Sequence, residues 1–321
     1  MSKYIFKNSK LLPDFIIAGA MKSGTTFLHN SLNNHSKIFL PKSETPFFDD
    51  CNINLKRAFF LKNKSWIYNN FEDNYSYLWD NYVKNFSTAK GILNGSDAPS
   101  YFISKEAPEL ISKQKKEIKI IFILRHPTER TFSEYNYAIT RSRGFLNFEN
   151  SIMKDQSLIE KSLYIKHLKH WLKFIPRDRI KIVVFEDLIK NPELVFKSIL
   201  NFLGLKYEDS VLSNKSKKTT FYHKYNRLRF FKNYLFYGNH FTIPDKRFIS
   251  KYTKDKISVK ESLKFRIFAK IHDLVNTKIL TKPKIHKNTK IFLDNYFMYH
   301  LSDIDNVTSL DIYDNWFKNK L

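Results

Sequence analysis

The stretch that most constrains the fold runs from Asp14 to Thr26, DFIIAGAMKSGTT. An apolar run typical of a β-strand, residues 15–18, leads into a glycine-containing turn and then into a helix-like segment that opens with two hydroxyl residues. The polar and glycine positions are Gly19, Lys22, Ser23, Gly24, Thr25 and Thr26. Free N–H groups and the positive end of a helix dipole meet in such a turn, so the stretch predicts an anion-binding cradle.

The lysine of this turn indicates which anion would bind. Loops that bind nucleoside triphosphates have the pattern GxxxxGK[ST], with the lysine after the second glycine. Here Thr25 follows Gly24, and the lysine has moved back to Lys22. A lysine inside the loop lies over the first phosphate, which favours a nucleotide with one 5′-phosphate that carries the leaving bond. The alternative is an ordinary glycine turn in which Ser23 caps the helix.

Strand and helix patterns alternate along the chain. Residues 38–41, 92–102, 118–124 and 180–188 have strand character, and residues 118–124, IKIIFIL, are typical of a parallel strand buried on both faces. Helical patterns cover residues 25–35, 105–116, 127–139, 158–174 and 192–203, and apolar residues recur with helical spacing over 52–90. Pro127 could open one of these helices, and Gly204 could end another.

This alternation predicts an α/β fold. We expect a P-loop-like three-layer arrangement in which helices flank a central, mainly parallel sheet. No linker-like composition interrupts the 321 residues, so we expect one domain. It would comprise a nucleotide-binding core over 12–205 and a basic, mostly helical C-terminal lobe over 206–321.

A second anion site is predicted after the buried strand 118–124. Arg125 follows this strand directly, and Ser133 lies eight residues later on the next helix. Ligands bind at the carboxyl ends of the strands in open α/β sheets, so a guanidinium and a hydroxyl there could hold a second phosphate. Arg130 is a third possible donor. The alternative for each residue alone is structural: an arginine that caps a strand, or a serine that faces solvent.

Composition limits the partners without selecting one. The net charge of +24 favours polyanions: nucleotides, acidic glycans, nucleic acid or an anionic membrane. The single cysteine, Cys51, excludes an intramolecular disulfide. No window reaches the roughly 18 uncharged apolar residues of a membrane span, so we expect a cytoplasmic protein.

The basic C-terminal region has an apolar stripe with two interpretations. Leu263, Ile267, Ile271 and Leu274 follow helical spacing beside several lysines and arginines. This pattern is typical of a helix at the inner surface of an anionic membrane, which would suit a glycolipid acceptor. The alternative, a core-facing helix whose lysines are solvated, is the commoner outcome for such a pattern. An acidic glycan cleft is intermediate, and no nucleic-acid-binding motif accompanies the charge.

Four motifs in order resemble the sulfotransferase family. They are KSGTT after the first strand, LRHPTERTFSEY at 124–135, the segment 162–205, and YFMYHLSDIDNVTSLDIYDNW, which ends at Trp316. The resemblance is strong over 12–205 and looser beyond. It is closest to the carbohydrate branch, the heparan-sulfate-type and bacterial glycan sulfotransferases. Members of this family use 3′-phosphoadenosine 5′-phosphosulfate (PAPS) as sulfuryl donor.

The resemblance implies roles for the two anion sites. The residues Lys22, Ser23, Gly24, Thr25 and Thr26 would bind the 5′-phosphosulfate. Lys22 would also neutralise charge on the bridging oxygen as the S–O bond breaks. Arg125 and Ser133 match the pair that binds the 3′-phosphate. Lys217, in NKSKKTT, matches a lysine of a segment that folds over the nucleotide.

The resemblance also implies a general base and an acceptor class. Glu44, in KSETPFF, matches the family's glutamate before two aromatic residues, and it would take the proton of an acceptor hydroxyl. The alternative is a surface acid paired with Lys42. The family's frequent Glu-Lys before a proline is Ser96-Asp97 here, which weakens the case for an acceptor that contains uronate.

The sequence therefore predicts a PAPS-dependent sulfotransferase that acts on a hydroxyl of a carbohydrate or glycolipid, without a metal ion. Two other functions stay open at this point. One is a P-loop kinase that acts on a small molecule, and the other is a basic module that binds polyanions without catalysis.

Overall fold

The fold comes from a computed structural model. The structure describes residues 12–49, 78–140, 146–213 and 283–318, together with short pieces of 59–68 and 222–279. Its first elements are β1 (Phe15–Gly19), α1 (Thr25–Leu32), β2 (Ile38–Phe39), β3 (Phe59–Lys62), β4 (Ser65–Tyr68), β5 (Leu93–Asp97) and α2 (Ala107–Ser112). A further helical stretch covers 78–83, and a 3₁₀-helix covers Pro99–Ile103.

The remaining elements follow in chain order. They are β6 (Lys119–Leu124), α3 (Pro127–Thr140), α4 (Phe148–Lys154), α5 (Ser157–Glu160), α6 (Tyr164–Trp171), β7 (Ile180–Val184), α7 (Phe185–Lys190), α8 (Pro192–Leu203), β8 (Tyr222–His223), β9 (Lys278–Ile279), α9 (Lys287–His300), α10 (Ile304–Thr308) and α11 (Tyr313–Phe317). Two 3₁₀-helices, Arg177–Arg179 and Asp209–Leu212, join them.

A parallel sheet of five strands forms the centre of the fold. The strand order is β2-β5-β1-β6-β7, and every pairing is parallel. Ile17 of β1 pairs with Asp97 of β5 on one side and with Ile121 of β6 on the other. The carboxyl ends of β1, β5, β6 and β7 therefore lie along one edge of the sheet, where open α/β folds bind ligands.

Both faces of this sheet are buried, because alternate strand residues enter two separate apolar clusters. Ile16, Ile120 and Phe122 belong to the cluster that also contains the large side chains of α6 and α9–α11. Their neighbours Ile17 and Ile121 belong to the cluster packed by α1 and α8. Burial on both faces explains the unbroken apolar runs of these strands, and it confirms the three-layer α/β arrangement.

Several sequence-based boundaries agree with the structure. The strand at 118–124 is β6, Pro127 opens α3, and α8 ends where Gly204 takes a left-handed conformation with φ 81°. Apolar side chains of α9 and α11 pack into the same cluster as β6. The division into a 12–205 core and a 206–321 lobe stays a prediction.

Three boundaries were wrong. Part of the expected helical stretch 52–90 is an antiparallel strand pair, in which Phe59 pairs with Tyr68, because aromatic and β-branched residues suit a pleated ribbon. The expected strand 180–188 ends at Val184, and the next residues form α7. The expected helix 158–174 is broken into α5 and α6 at Ser162, whose buried hydroxyl is hydrogen-bonded to side chains of α3.

Within the described part of the chain, no helix combines the length and apolarity required to cross a membrane.

Candidate active site

The loop between β1 and α1 has the backbone of an anion cradle. Three of its residues have positive φ: Gly19 at 133°, Lys22 at 68° and Gly24 at 99°. A Cβ at position 19 would lie 2.6 Å from the Cβ of Phe102, so this close turn requires glycine. Successive residues in such conformations point their N–H groups into one concavity, which favours an anion.

Helix α1 begins directly behind this loop. Its N-cap is Gly24, which has no side chain to accept a hydrogen bond from the first turn. The alternative interpretation, in which Ser23 caps the helix, is therefore wrong. The N–H groups of a first turn have no partner within the helix, and they are available to a ligand. The hydroxyl of Ser23 is fully buried and has no hydrogen-bond partner among the described residues. Thr25 is buried, and Thr26 is exposed.

Lys22 and Arg125 meet beside this loop. An Nη of Arg125 donates to the carbonyl oxygen of Lys22 at 3.3 Å. The ammonium of Lys22 lies 3.9 Å from the centroid of the Tyr137 ring on α3, a cation–π contact. Ser133 is half-buried and lies one turn before Tyr137 on the same helix. The fold thus brings Lys22, Arg125 and Tyr137 of α3 to one place. The roles of Lys22, Arg125 and Ser133 in binding phosphate stay predictions.

The backbone of Arg125 is held firmly, whereas its guanidinium is held loosely. The buried hydroxyl of Tyr164 donates to the Arg125 carbonyl at 2.6 Å, and burial raises the pKa of Tyr164 to about 12. The guanidinium lies 3.5 Å from a Glu129 oxygen and 5.0 Å from the centre of the Phe185 ring. Such long contacts leave hydrogen-bonding capacity for a phosphate.

Arg130 is not available to donate hydrogen bonds to a phosphate, contrary to the sequence interpretation. Its side chain is fully buried, and it donates to the carbonyl of Leu158 and the carboxylate of Glu134, both at 2.6 Å, and to the Ser162 hydroxyl. Desolvation by burial acts to raise the pKa of Glu134, but the charges of Arg130 and Lys161 outweigh it and lower that pKa. All three guanidinium nitrogens of Arg130 therefore donate hydrogen bonds to oxygens inside the protein.

Glu44 lies on a segment that is attached to the carboxyl end of β5. The next residue, Thr45, donates its N–H to the Asp97 carbonyl at 2.9 Å, and its hydroxyl lies 2.7 Å from that of Ser96. The N–H groups of Phe47 and Phe48 both donate to the buried Tyr101 hydroxyl, at 2.6 and 2.9 Å. The segment is therefore fixed at the same sheet edge as the phosphate loop.

The Glu44 side chain itself is exposed. The described residues therefore do not form the dry surroundings that the sequence interpretation expected for this carboxylate. An exposed position leaves the carboxylate accessible to a large acceptor. Its role as a base stays a prediction.

A buried pair near this segment was missed by sequence reasoning. Nδ1 of His29 on α1 lies 3.1 Å from Oδ2 of Asp97, and both side chains are buried. Oδ1 of Asp97 is also buried, with no hydrogen-bond partner among the described residues. The pair connects the helix behind the phosphate loop to the strand that holds Thr45. The sequence offered one signal for this pair: Asp97 is an acid at a position where the sulfotransferases that the chain resembles frequently have a lysine.

Glu186, in the first turn of α7, has a structural role. Glu186 accepts from the His126 N–H at 3.0 Å and from Nε1 of the buried Trp316 at 3.2 Å, so it fixes the turn after β6. Lys217 lies outside the described residues. In the described ranges, no group of three or more His, Cys, Asp or Glu residues could hold a metal ion.

Comparisons with known proteins identify the family. A family model described as "Sulfotransferase domain" matches residues 12–285. Heparan sulfate glucosamine 3-O-sulfotransferase 3B1 of Mus musculus is 31% identical over 207 residues, 62% of this chain and 47% of the relative. The 3A1 enzyme of Homo sapiens is 30% identical over 209 residues, 62% and 46% of the two chains. The chain thus spans about half the length of these curated relatives.

A solved structure supports the fold independently. The sulfotransferase from Alicyclobacillus acidocaldarius superposes with a TM-score of 0.52 at 20% identity, covering 79% of this chain and 99% of that one. The family match extends over most of the 321 residues and includes both the phosphate loop and the Arg125 turn. The chain therefore belongs to the sulfotransferase domain family.

Proposed function

We propose that the protein transfers a sulfuryl group from PAPS to a hydroxyl of a carbohydrate or glycolipid acceptor. The observation that carries this proposal is the contact between Lys22 of the anion cradle and Arg125 at the end of β6. It brings two cationic sites to one sheet edge, as a donor with two separate phosphate groups requires. The loop does not match the pattern of loops that bind nucleoside triphosphates, because Thr25 follows Gly24 where that pattern has a lysine.

The described residues fit such a donor. The 5′-phosphosulfate would lie on the N–H groups of the loop and of the first turn of α1, where the buried hydroxyl of Ser23 has an unused hydrogen-bonding capacity. Arg125 and Ser133 would hold the 3′-phosphate, and the long contacts of the Arg125 guanidinium leave donors for it. Lys217 would close over the nucleotide.

The chemistry follows from these positions. PAPS supplies the sulfuryl group, which passes to the acceptor oxygen as its bond to the 5′-phosphate breaks and the electron pair stays on that phosphate. Lys22 stabilises the negative charge that develops there, and this contact strengthens in the transition state. The carboxylate of Glu44 takes the acceptor proton. The loop, Arg125 and Ser133 orient the donor so that attack is in line.

The acceptor class rests on the relatives. Two of them are named heparan sulfate glucosamine 3-O-sulfotransferases, which supports a glycan hydroxyl as acceptor. Asp97 stands where the family frequently has a lysine, so the cation that would favour an anionic sugar is missing at the β5 end. We therefore propose a sugar that is neutral where it contacts the β5 end.

Calorimetry tests the donor assignment. Adenosine 3′,5′-bisphosphate should bind without metal, and Arg125→Ala should weaken this binding by roughly 30-fold or more. Lys197→Ala, which removes an exposed cation of α8, is the charge-matched control and should bind as the wild type does. Preferential binding of ATP–Mg²⁺ would instead indicate a kinase. Binding of polyanions without either nucleotide would indicate a non-catalytic basic module.

A separate test addresses the base. Glu44→Gln should keep bisphosphate affinity and lower the rate of sulfuryl transfer by about 10²- to 10³-fold. The matched control is Glu208→Gln, since Glu208 is a carboxylate that contacts His35, Ser36 and Ser210 rather than the β5 end. Full transfer activity in Glu44→Gln, with binding intact, would remove Glu44 from this role.

The cellular location forms part of the proposal. We propose a cytoplasmic protein that works at or near the inner face of the membrane, because the net charge of +24 favours anionic surfaces. Fractionation of cells that express the full-length protein tests this location. Recovery only outside the cytoplasm would contradict it.

A further inference from the structure

The C-terminal region contains helical residues whose apolar side chains face solvent. Ile267, Ile271, Leu274 and Val275 are helical, and their side chains are 54%, 54%, 79% and 59% exposed. We call these four residues the outward face. The core-facing interpretation of the apolar stripe predicted burial of Ile267, Ile271 and Leu274, so it is wrong for these positions.

The polar residues of the same segment are buried instead. His272 is 4% exposed and Asn276 is 1% exposed, and their side chains lie 3.0 Å apart. The Asn276 amide also bonds the backbone of Tyr225 in both directions, accepting from its N–H at 2.8 Å and donating to its carbonyl at 2.9 Å. The segment thus contacts Tyr225 through its polar side.

Helical geometry accounts for this inverted arrangement. Residues 267, 271 and 274 are spaced four and three apart, so they share one face, and residue 275 lies next to it. Residues 272 and 276 lie on the opposite side, where Asn276 contacts Tyr225. Scattered apolar residues are normal at a surface, but four on one helical face indicate an interaction site.

Charge decides which partner this face would meet. Lys270 is exposed and flanks the outward face. Residues 250–270 contain seven lysines and arginines and only two acids, Asp255 and Glu261. The seven cations are Lys251, Lys254, Lys256, Lys260, Lys264, Arg266 and Lys270. A second copy of this chain would bring like charges together, whereas anionic lipid attracts them.

We propose that the outward face lies in the interface of an anionic membrane, with Ile267, Ile271, Leu274 and Val275 among the acyl chains and Lys270 at the headgroups. An apolar face with flanking lysines is the arrangement that binds such interfaces. This proposal does not depend on the transferase activity. A membrane site would place the enzyme beside acceptors that are linked to lipid.

Tryptophan substitution measures the contact directly. In full-length Leu274→Trp, the added fluorescence, taken as the difference from wild type, should shift to shorter wavelength with phosphatidylglycerol vesicles and not with phosphatidylcholine vesicles. Leu194→Trp on α8 is the matched control, because Leu194 is 65% exposed outside the outward face. It should show no shift with either vesicle. No shift for Leu274→Trp, or equal shifts for both variants, would overturn the proposal.

Vesicle sedimentation measures the strength of the contact. The double variant Ile271→Ser/Leu274→Ser should bind phosphatidylglycerol vesicles about ten-fold or more weakly, and Leu194→Ser should bind as wild type does. Lys270→Glu should weaken binding, and 0.5 M salt should weaken wild-type binding as well. Because these side chains are exposed, circular dichroism should show unchanged folding. Analytical ultracentrifugation that finds a dimer lost in the double variant would assign the face to a second copy and overturn the membrane proposal.

Discussion

Arg125 and Arg130 lie five residues apart around the start of α3, and the fold uses them in opposite ways. Arg130 is fully buried, and each part of its guanidinium donates to a protein oxygen. Arg125 is half-buried, and its side-chain contacts to Lys22 and Glu129 are 3.3 and 3.5 Å long. The difference separates an arginine that stabilises the protein from one that can bind a ligand.

The two environments explain the separation. Arg130 faces the turn between α5 and α6, where it binds the Leu158 carbonyl and the Ser162 hydroxyl, so it fixes a break in the helical segment. Arg125 faces the phosphate loop, and the Tyr164 hydroxyl holds only its backbone. A buried charge must have internal partners, whereas a charge at a cleft edge can keep donors for a phosphate.

The largest expected effect is on stability. Arg130→Met should lower the free energy of unfolding by about 3 kcal/mol, because Glu134 would then remain largely buried with Lys161 as its remaining cation in that network. Urea denaturation of the full-length protein measures this loss. Bisphosphate affinity should be unchanged at temperatures where the variant is folded. A loss of affinity without a loss of stability would show that Arg130 belongs to the donor site after all.

The next effect is on binding. Arg125→Met should weaken adenosine 3′,5′-bisphosphate by roughly 30-fold or more, corresponding to the loss of a charge-assisted contact of about 2–3 kcal/mol. The free energy of unfolding should change by less than about 1 kcal/mol, since the ion pair with Glu129 is long, at 3.5 Å, and contributes little. Arg125→Lys should recover only part of the affinity, because an ammonium cannot form the planar fork. Equal losses of stability in Arg125→Met and Arg130→Met would remove the contrast between the two arginines.

A pH series tests the structural role of Arg130 through its ion pair with Glu134. Arg130 and Lys161 lower the pKa of Glu134 in the folded state below its ordinary value of 4.5. The carboxylate therefore contributes stability above pH 4.5, and this contribution is lost as the pH falls from there through the folded-state pKa. The wild type should lose more unfolding free energy between pH 6 and pH 3 than Glu134→Gln does. Parallel pH curves for the two proteins would contradict this assignment.

Sequence patterns predicted the parts of this region that depend on local residues. The buried strand β6, the opening of α3 at Pro127 and the end of α8 at Gly204 follow from apolar runs, proline and glycine. Arg125 was placed correctly at the carboxyl end of its strand. The tight turn around Lys22 also followed from local residues, since glycines before and after it permit positive φ values.

Distant contacts decided the rest, and a single sequence does not contain them. Two of the three partners of Arg130 lie 28 and 32 residues away, so its motif alone could not distinguish it from Arg125. His29 and Asp97 are separated by 68 residues, and the interpretation of each depends on the other. The end of β7 at Val184 depends on Glu186, which binds the turn after β6 and the C-terminal Trp316.

The smallest expected effect concerns Tyr137, the side chain that contacts Lys22 beside Arg125. Tyr137 lies under the Lys22 ammonium, at 3.9 Å from ring centroid to Nζ. Such a contact contributes about 0.5–2 kcal/mol, so Tyr137→Leu should slow sulfuryl transfer by several-fold while Tyr137→Phe, which keeps the ring, should stay near the wild-type rate. The measurement is kcat at saturating donor, with KM for the donor determined in parallel. The ring contacts the lysine that we propose acts on the leaving oxygen, so kcat should change more than KM. Identical kcat values for the leucine and phenylalanine variants would show that Tyr137 does not position Lys22, and that Arg125 and the loop backbone orient the site without it.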